Sequence, residues 1–274
     1  MIVRIAAVIA ALLALAATLS LVWTPHPIDG VDIAGRFAAA SLVHPLGTDQ
    51  YGRDIASMLM AGAATSLGVA ASAVAIGLLL GVPLGMAAAL SPGWLTRAIE
   101  RLNDLVFAFP ALIVAAILAA LVGPSTLNAI VAIGVFNIPV FARLTGAAAR
   151  RVGTLPFVDA ARLSGKGSAR IAMEHILPNV APVIVTHAAT QFAVAILAEA
   201  GLSYVGLGAQ PPAVSWGRML AEAQTLVAIA PQLAIWPGLS ITLAVYCVTT
   251  IGEGLRRRLD PRLARRRSLL GAGA

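Results

Sequence analysis

Four features of the chain have residue types that can do chemistry. Gly165-Lys166-Gly167-Ser168 ends like a loop that cradles nucleotide phosphates with backbone amides and a lysine. Such a loop needs a hydroxyl residue directly after the lysine and a glycine where Ala160 stands, and it has neither. Gly201-Leu202-Ser203-Tyr204-Val205-Gly206 resembles the strained turn that presents a nucleophilic serine, but Val205 takes the second glycine's place. His26, His44, His175 and His187 show no metal-ligand spacing. The single cysteine, Cys247, lies in an apolar run and reads as a buried, inert thiol. No catalytic residue, metal or cofactor is expected from these patterns, and the chain holds no evident energy source of its own.

What must position any functional residue is a very apolar framework. The 274 residues are 59% hydrophobic and only 11% charged, with a mean hydropathy of +0.90. Soluble domains average about 45–50% apolar and about 25% charged residues. Too few charges remain to cover a water-facing surface, so lipid must solvate most of the chain. The net charge of +7 comes almost wholly from arginine. These arginines flank apolar runs, a pattern that orients helices in a bilayer and does not read nucleic acid.

A membrane helix needs roughly 20 apolar residues. The charge-free runs predict six spans, at about 3–23, 64–90, 104–122, 127–143, 182–200 and 233–253. The first is read as a retained span longer than a signal-peptide core. Residues 55–62 are expected at the membrane interface, and Gly123 and Pro124 to turn a hairpin between the third and fourth spans. Residues 200–217, rich in Gly, Pro and Ser, read as a loop that dips into the membrane and must be covered by protein or line a water-filled cavity. Trp216 is expected to anchor at the interface. With the N-terminus inside, the outer segments carry only Arg36, Arg53 and Arg218, and the inner ones hold the other 16 of the 19 basic residues. That asymmetry implies an even number of spans and cytoplasmic termini. The run from Arg256 to Arg267 then serves as an inside anchor on anionic lipid.

Within the second span, Gly77, Gly81 and Gly85 recur every four residues, on one helix face where backbones approach closely. Packing against another helix of the same chain is the favoured reading, and a seam with a partner subunit or a pore-lining face the sharper one. Pro83 is expected to kink this helix. No charge sits in the middle of any expected span, which argues against a proton relay.

The polar exception is Asp159-Ala-Ala-Arg-Leu-Ser-Gly-Lys-Gly-Ser-Ala-Arg-Ile-Ala-Met-Glu-His-Ile-Leu-Pro-Asn179. The segment 143–182 around it is far longer than a connection between spans needs. Thr154 is expected to cap a first helix with Pro156 in its first turn. Gly165 should end that helix in a left-handed conformation, and Ser168 should cap a second helix that Pro178 stops. Small residues on such an exposed elbow let another protein's surface approach closely. The alternative is a solvated loop whose helices rest on the membrane.

This stretch resembles the EAA motif of permease subunits of bacterial ABC importers, on Asp159, Ala160, Ala161, Gly165, Leu177 and Pro178. Asp159 replaces the usual Glu. The segments His44–Asp54, "HPLGTDQYGRD", and Glu199–Leu220, "EAGLSYVGLGAQPPAVSWGRML", are similar to the branch that imports dipeptides, oligopeptides, glutathione and nickel, and to the second of its two permeases. The resemblance implies an all-α membrane protein of the type I importer fold, with six spans and a cytoplasmic coupling helix. It implies a bacterial inner-membrane location and no catalysis by this chain. The implied partners are a second homologous permease, two cytoplasmic ATPases, an extracytoplasmic substrate-binding protein and the lipid bilayer. Gly165 would form the bend, Asp159 would cap or pair with a basic group of the ATPase, and Ala160 and Ala161 would pack against it. Asp49, Arg53, Asp54 and Trp216 would dock the binding protein or support an outer gate, although a hydrated charged loop is the plainer account of the first three. The implied organisation is 1–62 (first span, external loop and interfacial segment), 63–260 (permease core with the coupling loop 143–182) and 261–274 (basic tail). A membrane enzyme and a non-transporting scaffold are the competing classes. The spans lack paired carboxylates and histidine clusters, against the first, and the helix–Gly–helix shape speaks against the second. No ligand cluster distinguishes nickel from peptide, which leaves peptide favoured.

Overall fold

The computed structural model describes residues 1–91 and 93–259. The basic tail 261–274, with Arg262, Arg265, Arg266 and Arg267, lies outside the described residues. No strand occurs among the described residues, only an isolated antiparallel bridge between Thr48 and Asp54. The helices are α1 (Ile2–Leu19), α2 (Ile55–Leu90), α3 (Gly93–Phe107), α4 (Ala111–Val122), α5 (Thr126–Gly153), α6 (Pro156–Leu163), α7 (Ser168–Tyr204), α8 (Trp216–Ala223) and α9 (Gln232–Leu259).

Five of these, α1, α2, α5, α7 and α9, are long and apolar enough to cross a membrane. The sixth expected span, 104–122, is a bent pair: α3 and α4 meet at 72°. The break falls at Ala108–Pro110, because Pro110 disfavours helical backbone at Phe109. α3 is amphipathic, and its charged face is tied to α5 by Asp104–Arg143 and Glu100–Arg150 ion pairs. Phe107 packs edge-on against Phe136, with ring centroids 5.3 Å apart.

Three further boundaries differ from expectation. Residues 55–62 are no separate interfacial element but the first turns of α2, whose N-terminus is capped by Asp54: Oδ2 accepts the Ser57 amide at 2.8 Å. α5 continues past the expected end at 143 to Gly153. Pro178 does not stop the second helix of the polar segment, since α7 runs on to Tyr204.

Two prolines are absorbed the same way. α2 has a π-helical turn at Gly77–Gly81, and α7 has one at Ala172–Ile176. Pro83 and Pro178 each follow two residues after the turn ends. A helical proline lacks the N–H for residue i−4 and its ring crowds that carbonyl. Those carbonyls belong to Leu79 and Glu174, the middle residues of the two π-turns, where the wider ladder gives the ring room.

The chain divides into two compact units. One comprises 1–73, 111–133 and 192–248; the other comprises 74–110, 134–191 and the chain from Thr249. The core of the first is built around Ile55, Met58, Val69, Ile196, Leu202 and Trp216. That of the second is built around Phe141, Val158, Ile171, Ile176 and Val180. In the second unit Gly77, Gly81 and Gly85 lie directly against α5. A Cβ at Gly81 would stand 2.4 Å from the Ile138 carbonyl, and one at Gly85 would stand 2.4 Å from that of Ala142. These glycines therefore serve packing within the chain. Exposed apolar side chains, such as Leu12 and Leu15 on α1 and Leu239 and Leu243 on α9, leave lipid-compatible surface on the spans.

Candidate functional site

The segment before α2, in the first unit, is a dense polar knot. Asp49 closes an Asx turn: Oδ1 accepts the amides of Tyr51 and Arg53, both at 2.8 Å. Its Oδ2 accepts Arg53 Nε at 2.6 Å. A second nitrogen of the same guanidinium, Nη2, donates to Glu222 Oε2 at 2.8 Å. Glu222 lies on α8 and also accepts Arg218 Nε at 3.0 Å, while Arg218 Nη1 donates to Gln210. Arg53 thus joins two parts of the chain 169 residues apart. Burial opposes its charge, but the fields of and hydrogen bonds to Asp49 and Glu222 prevail and hold the guanidinium above its ordinary value. Gly52, at φ +78°, lets Asp32 pass against it; a Cβ there would overlap the Asp32 carbonyl.

Asp54 is buried at 2% exposure. Burial disfavours its charge, yet hydrogen bonds from the hydroxyl and amide of Ser57 and from His44, with the nearby His26, hold its carboxyl below the usual range. Beside the knot lies a cleft of about 520 Å³ bordered by Tyr51, Arg53, Met58, Pro211, Pro212 and Glu222.

Trp216 is not an interfacial anchor. It is 1% exposed, with its amide on Ser66 Oγ and its indole Nε1–H on the Leu59 carbonyl. Gly62 opens the slot, since a Cβ there would stand 2.9 Å from the indole. Asp49, Asp54 and Trp216 are therefore internal supports of this knot and are too buried to meet a partner directly; Arg53 is half-buried.

In the second unit the polar segment forms an elbow. α6 starts at Pro156 with Leu155 as N-cap, and Thr154 caps nothing: its hydroxyl donates back to the Arg151 carbonyl. At the other end Gly165 has φ +80°. Its amide donates to Arg162, and the Lys166 amide donates to Ala161. These are the two bonds of a Schellman stop. The next helix begins at Ser168 with Gly167 as its N-cap, not Ser168. Lys166 and Arg170 both bind Glu174, at 2.7 and 2.6 Å, which ties the elbow to the start of α7. Asp159, Ala160 and Pro178 are exposed, Leu177 is half-buried, and Ala161 is buried. Asp159 pairs with Arg162 at 2.8 Å, and Leu163 beside it is 90% exposed.

Residues 81–265 match the family described as binding-protein-dependent transport system inner membrane component. The chain belongs to that family. It is a permease component of a transport system and not an enzyme. It is 40% identical over 223 residues to the glutathione transport system permease protein GsiD of Pectobacterium atrosepticum, covering 81% of this chain and 74% of that one. It is 38% identical over 230 residues to the dipeptide transport system permease protein DppC of Alkalihalophilus pseudofirmus, covering 84% and 76%. Among solved structures, inward-facing conformations of the MetNI methionine ABC transporter share the fold. One has a TM-score of 0.63 at 20% identity, covering 74% of this chain and 96% of that one.

Three features of this permease were not legible in its sequence. Glu222, the second partner of Arg53, carried no signal beyond being acidic. Glu199 is 1% exposed on α7, with Oε1 accepting Ser203 Oγ at 2.7 Å and Oε2 without a partner among the described residues. The helix that carries it runs past the expected end of the span at 200. Finally, His26 and His44, whose spacing gives no ligand pattern, meet at Asp54. The signal that was available is Asp-x-x-Ser at 54–57 directly ahead of an apolar run, a helix N-terminus pattern.

Proposed function

We propose that this chain is the second permease of a bacterial importer of di- or oligopeptides and supplies half of the translocation path. A second homologous permease supplies the other half. Two cytoplasmic ATPases hydrolyse the ATP, and an extracytoplasmic binding protein delivers the substrate. Both termini face the cytoplasm, as the arginine asymmetry requires. On this reading 1–62 carries the first span and the outer loop, 63–260 the permease core, and 261–274 a basic inner tail.

The observation that carries the proposal is the elbow at 156–176. Its stop at Gly165 projects Asp159, Ala160 and Leu163 into solvent, and the Lys166–Glu174–Arg170 cluster clamps its base to a long helix. A movable partner gripping this elbow would transmit force along α7. The exposed Leu163 is an apolar side chain left uncovered by the described residues, as a docking knob would be. The relatives named for dipeptide and glutathione transport support peptide-like substrates.

The test is purification of the complex from native membranes, followed by uptake of labelled dipeptides and glutathione into proteoliposomes containing the binding protein. An ATPase retained with the permease and ATP-dependent peptide accumulation are expected. A permease that purifies intact without any ATPase refutes the coupling role, and uptake of neither solute refutes the substrate class.

A further inference from the structure

His26 lies on the segment after α1, while His44 and Asp54 lie on the loop that leads into α2, all within the first unit. One ligand atom from each of the three residues lies within 4.8 Å of the other two. The imidazole rings are in contact, with centroids 4.5 Å apart. His44 Nδ1 stands 3.0 Å from Asp54 Oδ1, and His26 Nδ1 stands 3.7 Å from Asp54 Oδ2. The second distance is too long for a hydrogen bond. His26 Nδ1 is nevertheless buried and has no partner among the described residues. A buried ring nitrogen with an unused lone pair is costly unless something fills the gap.

We propose that His26, His44 and Asp54 form a binding site for a divalent transition-metal ion of the zinc class. Two imidazoles and one carboxylate are a donor set that zinc accepts, with the fourth position left to water or another group. Ligand bonds of about 2.0–2.2 Å place neighbouring donors of a tetrahedral zinc roughly 3.3–3.5 Å apart. The His44 Nδ1–Oδ1 and His26 Nδ1–Oδ2 distances, 3.0 and 3.7 Å, run to the two oxygens of one carboxylate, so both imidazoles face the same carboxyl group at about that spacing. A metal ion also accounts for the orphaned nitrogen, since it would take the His26 lone pair that no protein donor reaches. Hard cations such as Mg²⁺ and Ca²⁺ prefer all-oxygen sites and do not fit a nitrogen pair.

The surroundings are built to hold the donors. Ser57 gives both its amide and its hydroxyl to Asp54 Oδ2, at 2.8 and 2.7 Å. The same hydroxyl oxygen accepts the His26 amide at 3.0 Å. One serine therefore fixes the carboxylate and the backbone of the first histidine together, an outer-layer arrangement that orients metal ligands. The ion would fasten the chain leaving α1 to the N-terminus of α2.

The test uses the full-length permease in detergent with any affinity tag removed, stripped with a chelator and then titrated with Zn²⁺, Mg²⁺ or Co²⁺. Zinc is expected to bind one ion per chain and to raise Tm, and Mg²⁺ is expected to leave Tm unchanged. Co²⁺ should develop the visible absorption of a low-coordinate nitrogen–oxygen site, and Zn²⁺ should abolish it. His26→Ala should weaken Zn²⁺ binding at least about tenfold, and its metal-free Tm should fall only by the lost ring contact with His44, because Nδ1 gives up no hydrogen bond. His26→Gln keeps more of the side-chain volume and serves if the alanine variant fails to fold. A wild-type protein with no Zn²⁺-dependent Tm rise overturns the proposal. So does a His26 variant that binds zinc as the wild type does, or an equal response to Mg²⁺.

Discussion

The indole N–H of Trp216 donates to the carbonyl of Leu59 at 3.0 Å, joining residues 157 positions apart. The ring fills a slot that Gly62 leaves open, and it is the largest fully buried side chain among the described residues. Trp216→Ala should cost about 3–5 kcal/mol through lost burial and the cavity it leaves. Trp216→Phe should lose much less, roughly the 1 kcal/mol of one hydrogen bond plus a smaller void. Thermal unfolding of the purified permease in detergent measures both. Equal Tm values for Trp216→Ala and wild type would show that the indole is no structural support.

Gly81 touches the backbone of α5 and cannot accept a side chain without moving a helix. The Cβ of Gly81→Ala would lie 2.4 Å from the Ile138 carbonyl and 2.8 Å from Phe141 Cβ. Overpacking of this kind costs about 1–3 kcal/mol. Gly68→Ala on the same helix meets nothing within 4 Å and serves as the control. Gly68→Ala should match or exceed wild-type stability, since alanine is the better helix former by about 1 kcal/mol. The order of the two Tm values is the measurement, and Gly81→Ala above Gly68→Ala would contradict the packing geometry.

The spans and the elbow were legible because their signals are local. Apolar runs, a basic asymmetry and a glycine between two short amphipathic stretches each speak within a few turns of chain. Gly165 is the clearest case, since the left-handed stop expected there is the one observed. Where the expectation failed, distant residues decided. Trp216 looked like an interfacial anchor because aromatic residues near apolar runs often are; Ser66, Leu59 and Gly62, some 150 positions away, bury it instead. Pro178 looked like a stop because nothing in the sequence announces the π-turn that accommodates it. Thr154 had a cap's chemistry, but a free carbonyl on the preceding turn captured its hydroxyl. The break at 108–110 lies inside an apolar run, and Pro110 is its one local sign. His26 and His44 are brought to Asp54 by the course of a loop, which no spacing rule describes.

Arg53 holds Asp49 with Nε and Glu222 with Nη2, so the two contacts use different N–H groups of one planar fork. Lysine has one compact charge and cannot reproduce both. Arg53→Ala leaves the Asp49 carboxylate, 6% exposed, without its cation, and removing one partner of such a buried pair costs about 3–5 kcal/mol. Arg53→Lys should recover less than half of that loss. Glu222→Gln should cost less than Arg53→Ala, because Asp49 keeps its partner. A double-mutant cycle on Arg53 and Glu222, read by thermal unfolding, should give a coupling well above the 0.2–1 kcal/mol typical of exposed pairs. A coupling near zero would remove the bridge from the account.

Gly165→Val tests the elbow by strain, since a side chain there has open space but the wrong backbone. A non-glycine residue in the left-handed region costs roughly 1–2 kcal/mol, and β-branching adds to it. Asparagine tolerates that region far better. The expected order of ATPase retention is wild type, then Gly165→Asn, then Gly165→Val, with the membrane-inserted amount of all three similar. Full retention and full uptake by Gly165→Val would remove the bend from the coupling role.

Asp159 separates folding from docking. Its only side-chain pairing among the contacts described is with Arg162, and both side chains are more than half exposed. Exposed pairs of this kind contribute little to stability, so Asp159→Ala should leave Tm unchanged. If the carboxylate meets a basic group of the ATPase, the same variant lowers ATPase retention and uptake, and more so at low salt, where the lost attraction was strongest. Asp159→Glu keeps the charge on a longer arm. Retention equal to wild type in the glutamate variant, with loss in the alanine variant, would mean that charge governs the contact. Loss in both would mean that reach does, and that the ATPase partner is fitted to the shorter side chain. Unaltered retention in both would place the grip on Leu163 and Ala160 and leave Asp159 as a solvated end of the elbow.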